Sequence, residues 1–234
     1  MLVSVARAAL ALALATVSVS GAGGAARLSE AIQAGDRQAV LRLLKQPAEV
    51  NAADPDGTTP LHWAVRADDL DLATRLIQAG ATVRVANRYG VSPLSLAALN
   101  GNARLVRLLL ANGADASQRV SRGQTVLMTA ARTGNPDVVA ALLDRGAIIN
   151  AQESQLGETA LMWAASENHA AVVKLLAGHG ADVNLRSNSI TFPKDRFGLE
   201  GVLTILPRGN WTALMYAARD GAPEAAAALL DAGS

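Results

Sequence analysis

Apolar residues fall in short clusters along the chain at helical spacing, and the clusters come in pairs. Leu61, Ala64 and Val65 mark one face of a brief helix. Leu105, Val106, Leu108 and Leu109 mark a second kind, with apolar positions at i, i+3 and i+4. Thr59 before Pro60 and Ser92 before Pro93 read as helix starts. The hydroxyl can cap there, and proline fits the first turn because its missing N–H has no partner to lose. Asp68 or Gly101 falls in the turn between two helices, and Gly113 ends the second, where left-handed angles disfavour a Cβ. Ala114 to Gln124 is polar and turn-rich, which predicts a projecting hairpin finger. The predicted unit is helix, turn, helix, finger. No such unit can bury its apolar face alone, so neighbours must stack.

The unit repeats. Thr59-Pro60-Leu61-His62-Trp63-Ala64 returns as Ser92-Pro93-Leu94-Ser95-Leu96-Ala97, then as Thr125-Val126-Leu127-Met128-Thr129-Ala130. It returns again as Thr159-Ala160-Leu161-Met162-Trp163-Ala164 and as Thr212-Ala213-Leu214-Met215-Tyr216-Ala217, at intervals of 33, 33, 34 and 53 residues. A second marker keeps the same step: Gly80-Ala81, Gly113-Ala114, Gly146-Ala147, Gly180-Ala181 and Gly233-Ser234. An earlier, degenerate unit runs from Leu28-Ser29-Glu30-Ala31 to Val50-Asn51, with Leu28 lying 33 residues before Leu61.

A 33-residue period carrying a Thr-Pro-Leu-His-x-Ala string resembles the ankyrin repeat, here over residues 27–234. The resemblance implies an all-α solenoid of stacked helix-turn-helix units, with short hairpin fingers and one inserted loop. Only the first full unit has the whole string, and the fourth carries one extra residue between Ala147 and Glu158. The organisation is then a leader at 1–22 and a repeat domain at 23–234. Within it come the degenerate unit at 27–53 and repeats at about 54–86, 87–119, 120–153 and 154–186. An insertion lies within 185–208, before a truncated repeat at 209–234.

In the leader, Arg7 precedes an apolar run from Ala8 to Val19, and Ser20-Gly21-Ala22 fits a small-x-small cleavage site. This is the layout of a secretory signal peptide. The run is about half the ~20 residues that a membrane span needs. The alternative is an uncleaved N-terminal anchor. The Ala-rich leader points to bacterial export, so the expectation is an exported protein, periplasmic or secreted, with no membrane span once the signal is removed.

Charge is balanced, 21 Lys+Arg against 20 Asp+Glu, which argues against generic nucleic-acid binding. The absence of Cys excludes disulfides, thiolate zinc sites and cysteine nucleophiles. Half the residues are hydrophobic yet aromatics are 3%, which suits tightly stacked helices rather than a sandwich core.

Candidate chemistry is sparse, and no catalytic residue, metal site or cofactor is expected. His62, His169 and His179 share no ligand spacing, and no phosphate loop or nucleophile elbow occurs. The resemblance implies a structural role for His62, hydrogen-bonding adjacent repeats. Asp68, Asp69 and Asp71 read as a solvated acidic turn. Asn210-Trp211-Thr212 matches a glycosylation acceptor, discounted because Thr212 is expected to cap a helix.

Binding residues are the better prospect. Trp63, Trp163 and Tyr216 share one repeat position, read as inter-repeat packing in preference to a ligand cage. From Gln46 to Val83 the net charge is −4, and from Arg84 to Arg145 it is +5, with every base in the second stretch an arginine. Arg88 and Tyr89 match one finger tip, Arg122 the next, and Arg132 the exposed end of a first helix. The resemblance places such positions on a concave binding face; the alternative is a merely solvated surface. The insertion holds Phe192, Phe197 and a strand-like Val202-Leu203-Thr204-Ile205-Leu206, with Trp211 close behind. It serves either as an apolar anchor for a partner or as a loop folded back over its own fingers.

The expected function is therefore a protein-protein interaction scaffold without catalysis, binding through the concave finger and inner-helix face. The alternative is a regulatory or targeting arm of a longer exported enzyme or receptor. The arginines imply a partner with an acidic patch. Ala225 to Leu230 offers no charged face, so self-association through that last helix is a further expectation. N-terminal sequencing of protein from the natural host is expected to show a mature start near Gly23; an intact Met1 on cytoplasmic protein would reject export.

Overall fold

The computed structural model describes residues 27–190 and 208–234. The leader, Phe192, Phe197 and the strand-like Val202 to Leu206 lie outside those residues. The described chain forms six helix pairs. They are α1 (Leu28–Gln33) with α2 (Arg37–Leu43), α4 (Pro60–Arg66) with α5 (Leu70–Gln78), and α6 (Pro93–Leu99) with α7 (Ala103–Ala111). Then come α8 (Val126–Thr133) with α9 (Pro136–Leu143), α10 (Ala160–Ser166) with α11 (Ala170–Gly178), and α12 (Ala213–Asp220) with α13 (Pro223–Asp231). A single turn, α3 (Pro47–Val50), follows the first pair. The first helices stack in the order α1, α4, α6, α8, α10, α12, and the second helices α5, α7, α9, α11, α13 form a parallel layer.

The repeated sequence positions are the repeated contacts. Leu61, Leu94, Leu127 and Leu161 of the first helices are buried, as are Leu76, Leu109, Leu142, Leu176 and Leu229 of the second. Ala64, Ala97, Ala130, Ala164 and Ala217 are all at 0% exposure. A methyl at that position lets adjacent helices approach closely, so alanine is a packing choice here as well as a helix former. At the outer face of the first unit, Glu30, Gln33, Asp36, Arg37 and Gln38 are exposed, as a polar terminal surface requires.

Polar side chains stitch one repeat to the next. Ser92, Thr125 and Thr159 cap their helices through the N–H groups of Ser95, Met128 and Met162. Thr59 departs from this, because its hydroxyl meets His62 Nδ1 at 2.8 Å instead of a backbone N–H. Thr212 occupies the N-cap of α12 without a side-chain cap bond. In the turns between helices, Asn135 Nδ2 donates to Gly101 O at 2.8 Å, and its Oδ1 accepts from Asp137 N. Asn102 bridges the same way to Asp68, which holds a left-handed φ of 59°.

A backbone bond closes the base of each finger. The pairs are Asp54 with Thr58, Asn87 with Val91, Val120 with Gln124, Glu153 with Glu158 and Ser187 with Trp211. The extra residue of the fourth unit therefore lies in its finger turn, where the buried Glu153 carboxylate gathers the N–H groups of Gln155, Leu156 and Glu158. In sequence the insertion falls between Ser187 and Trp211, the base of the fifth finger. Beyond that base, β1 (Ser189–Ile190) and β2 (Arg208–Gly209) pair antiparallel, and a single antiparallel bridge joins Arg119 and Thr125 in the third finger. The last helix is also longer than Ala225–Leu230: Glu224 and Asp231 stand exposed at its ends, while Leu230 is 60% exposed between them.

His62 joins two repeats. Its Nδ1 accepts from Thr59 N at 3.1 Å, and in that tautomer Nε2 donates to Val91 O at 3.0 Å in the base of the next finger. Burial pushes the imidazole below the ordinary histidine value, opposed by the Val91 carbonyl and by Asp56. Below about pH 6.5 the unfolded chain takes up a proton that the folded chain resists. The His62 contribution is thus fully present above that pH and lost as pH falls through it. In urea titrations, His62→Ala is expected to cost about 1 kcal/mol at pH 7.5, since the inter-repeat bond to Val91 O is lost while Asn87 N–H still donates to that carbonyl. His62→Gln is expected to flatten the decline in stability between pH 7 and 5 relative to the wild type.

Candidate binding surface

The fifth position of each repeated string lies on the first-helix layer and forms one row: Trp63, Leu96, Thr129, Trp163 and Tyr216. Three residues further on, one helical turn along, comes a second row: Arg66, Leu99, Arg132, Ser166 and Arg219. The two rows meet through stacking. Arg66 lies 5.5 Å from the Trp63 ring and Arg132 5.1 Å from the Trp163 ring of the next repeat. Arg219 stands 4.8 Å from the Tyr216 ring and 5.0 Å from the Trp211 ring. Each stacked guanidinium gains from the ring quadrupole.

The rows open into two adjoining cavities. One, of 220 Å³, is lined by Arg132, Glu158, Met162, Trp163, Ser166, Glu167, Tyr216 and Arg219. The other, of 530 Å³, lies between the fourth and fifth finger bases and is lined by Leu156, Glu158, Ser187, Asn188, Gly209, Trp211, Tyr216 and Arg219. Glu158 organises the wall they share. It accepts from Trp163 Nε1 at 2.8 Å, and its carboxylate adds to burial, the larger cause, in pushing the Tyr216 phenol up to about 12, with Ser187 opposing. Trp211 meets Tyr216 edge to face at 5.5 Å. Asp220 takes a bidentate grip from Arg219, 2.6 Å on each arm, and the carboxyl is held below its ordinary value mainly for that reason.

The residues singled out in the sequence are not all gathered here. Arg132 and Trp211 line the cavities, while Arg88, Tyr89 and Arg122 stand on finger tips. Arg88 is more than a surface charge: its guanidinium donates to Pro55 O and its backbone N–H to Asp56 O at 2.9 Å, both in the preceding finger. Arg122 reaches Gln155 of the following finger at 3.5 Å. Arg119 and Arg145 likewise donate to backbone carbonyls one repeat away, Gln152 O and Leu110 O. Arg88 is thus a strut between two fingers as well as a finger-tip charge. The finger carbonyls project without sheet partners, and guanidinium groups fill that need. Tyr89 is different, at 63% exposure.

Trp63 and Trp163 are half-buried, with their indole N–H groups bound to Asp54 and Glu158, whereas Tyr216 is buried. The packing reading fits Tyr216 best; Trp163 packs and also lines a cavity. Arg66, Arg219 and Glu158 escaped the reading of the sequence. For the two arginines the signal was available, because shifting Arg132 by the repeat intervals lands on Arg66 and on Arg219. Among the described residues no group of three His, Asp or Glu side chains is placed to hold a metal ion. No described helix is long and apolar enough to cross a membrane.

Comparison with known proteins agrees with this architecture. The family model "Ankyrin repeats (3 copies)" matches residues 28–120 and 94–187. Among solved structures, the human ASB11 ankyrin repeat domain is similar at 26% identity, with a TM-score of 0.71, over 90% of this chain and 85% of that one. A search of curated protein sequences gave no match.

The different settings of the two second-finger residues separate by measurement. Arg88→Ala is expected to lower stability by about 1 kcal/mol through its lost inter-finger bond. Tyr89→Ala is expected to stay within about 0.5 kcal/mol of the wild type in the same urea titration.

Proposed function

The chain belongs to the ankyrin repeat family, whose repeats are in general non-catalytic protein-interaction modules, and on that premise we propose that it binds a partner protein through the concave face of its first helices and fingers. The observation that carries the proposal is the pair of cavities across α8, α10 and α12, where Arg132, Trp163, Trp211, Tyr216 and Arg219 converge. Aromatic and arginine side chains are the usual anchors of protein interfaces, and a concave, partly apolar recess is where they act with least exposure to water. Tyr89 and Arg122 on the finger tips extend the contact area. Asn188 and Gly209, which flank the insertion, line the larger cavity, and the proposed surface extends to the insertion's Phe192 and Phe197.

The chain takes no catalytic part in this reading: each histidine ring has a nitrogen engaged by a nearby polar group, Thr59 and Val91 for His62, Arg132 O for His169 and Leu175 O for His179. The leader motivates export to the periplasm or beyond, where the partner would be met. Self-association through the apolar stripe of α13, with exposed Leu230 in its last turn, belongs to the same proposal.

The test begins with a periplasmic pull-down using the full chain, followed by affinity measurement with the purified partner. Trp163→Ala and Arg219→Ala are each expected to weaken binding by about 2 kcal/mol, or ~30-fold, the scale of an interface anchor. Circular dichroism melting confirms that the variants remain folded. Unchanged affinity in both variants, and in Tyr89→Ala, would place the interface elsewhere.

A further inference from the structure

The row of stacked arginines has a spacing that the cavities do not explain. Arg66, Arg132 and Arg219 sit on every second repeat, with Leu99 and Ser166 between them. Arg219 is already neutralised by Asp220. Arg66 and Arg132 are exposed, and among the described residues neither guanidinium has a carboxylate within ion-pair distance. The carboxylates near Arg66 are engaged elsewhere. Asp54 holds Ser29 and Trp63, Asp56 holds Thr58, Asp68 holds Asn102, Asp69 caps α5, and Asp71 pairs with Arg75. Between the two arginines the surface is apolar, since Leu99 on α6 is 50% exposed beside the half-buried Leu96. Asn100, the neighbouring amide, is turned to Val65 O.

We propose that the α4–α6–α8 face binds an extended acidic segment of a partner protein, with one carboxylate on Arg66, an apolar side chain on Leu99 and a second carboxylate on Arg132. This rests on the concave-face reading above and names the chemistry of its ligand. Three features select carboxylates. Each guanidinium lies against an indole, so the ring faces already hold a cation and do not offer a cage for another. Stacking leaves the planar N–H edges free for bidentate pairing, the geometry that suits a carboxylate. Stacking also fixes the side chains beforehand, which lowers the ordering cost of binding. The spacing sets the register. Packed helices lie 8–10 Å apart, so two repeats span about 16–20 Å, which an extended chain covers in five or six residues at ~3.3 Å each.

The probes are fluorescein-labelled Gly/Ser-based peptides read by anisotropy against the full chain. The first carries two Glu pairs five residues apart with a central Leu; the second has Lys in place of every Glu; the third has the same composition as the first with all four Glu adjacent. The first is expected to bind at least tenfold tighter than the other two, and to weaken between 50 and 200 mM salt. Arg66→Glu and Arg132→Glu are each expected to reduce that affinity at least tenfold, and Arg66→Gln to reduce it without reversing charge. Arg104→Glu, an exposed change on α7 in the other helix layer, makes the same change in net charge and is expected to stay within twofold. Equal binding of the Lys peptide, equal loss in Arg104→Glu, indifference to Arg66 and Arg132, or no binding of the first peptide would each overturn the proposal. A pulled-down partner that depends on Trp163 and Arg219 but ignores Arg66 would sink this inference alone. A partner indifferent to Trp163, Arg219, Arg66 and Arg132 alike would sink the concave-face reading with it.

Discussion

Each helix pair leaves an apolar edge that only the next pair covers, and every other feature of the molecule answers to that need. A first helix of seven or eight residues is too short to persist alone, because nucleation costs more than so few backbone bonds return. Its buried leucine and alanine must meet the equivalents one repeat away. The 33-residue interval is the result: one residue more is taken up in a finger turn, around the Glu153 carboxylate, and the 20 further residues of the insertion fall between Ser187 and Trp211, the base of the fifth finger.

Stacking also decides what the polar residues do. Finger and turn carbonyls have no sheet to satisfy them, so neighbouring side chains bridge the gap. Asn135 reaches Gly101, His62 reaches Val91, and Arg88 reaches Pro55. An arginine in this fold is therefore a strut wherever a carbonyl of the adjacent repeat lies within reach, and a potential ligand contact only where none does. Arg66 and Arg132 fall in the second class: nearby last-turn carbonyls of the first helices are taken by other side chains, Asn100 at Val65 O and His169 at Arg132 O.

Function follows from this division. The two helix layers are held rigidly by repeated contacts, and rigid elements position binding groups better than loops do. The cavities at α8, α10 and α12 arise where aromatic residues take the place of Leu96 and Thr129 in the row. Glu158, recruited by the indole N–H of Trp163, keeps the recess polar on one wall while Leu156 and Trp211 keep it apolar on the other.

The sequence by itself determined the solenoid. Period, capping residues, the glycines after second helices and the leucine positions are all local or strictly periodic signals, and they specified the helix pairs, their order and their buried faces. It also exposed the extra residue and the insertion, because both break a count. What it did not contain in legible form was the partner of each side chain. Arg88 and Arg132 look alike along the chain, yet one donates to Pro55 and the other stacks on Trp163, 31 positions away. Thr59 and Thr159 head similar strings, yet only the second caps its helix, because a histidine three residues on captures the hydroxyl of the first. Periodicity fixes which residues stand in a row. The gaps between repeats, at hydrogen-bonding and stacking range, decide which of them are used inside the protein and which remain for something outside it.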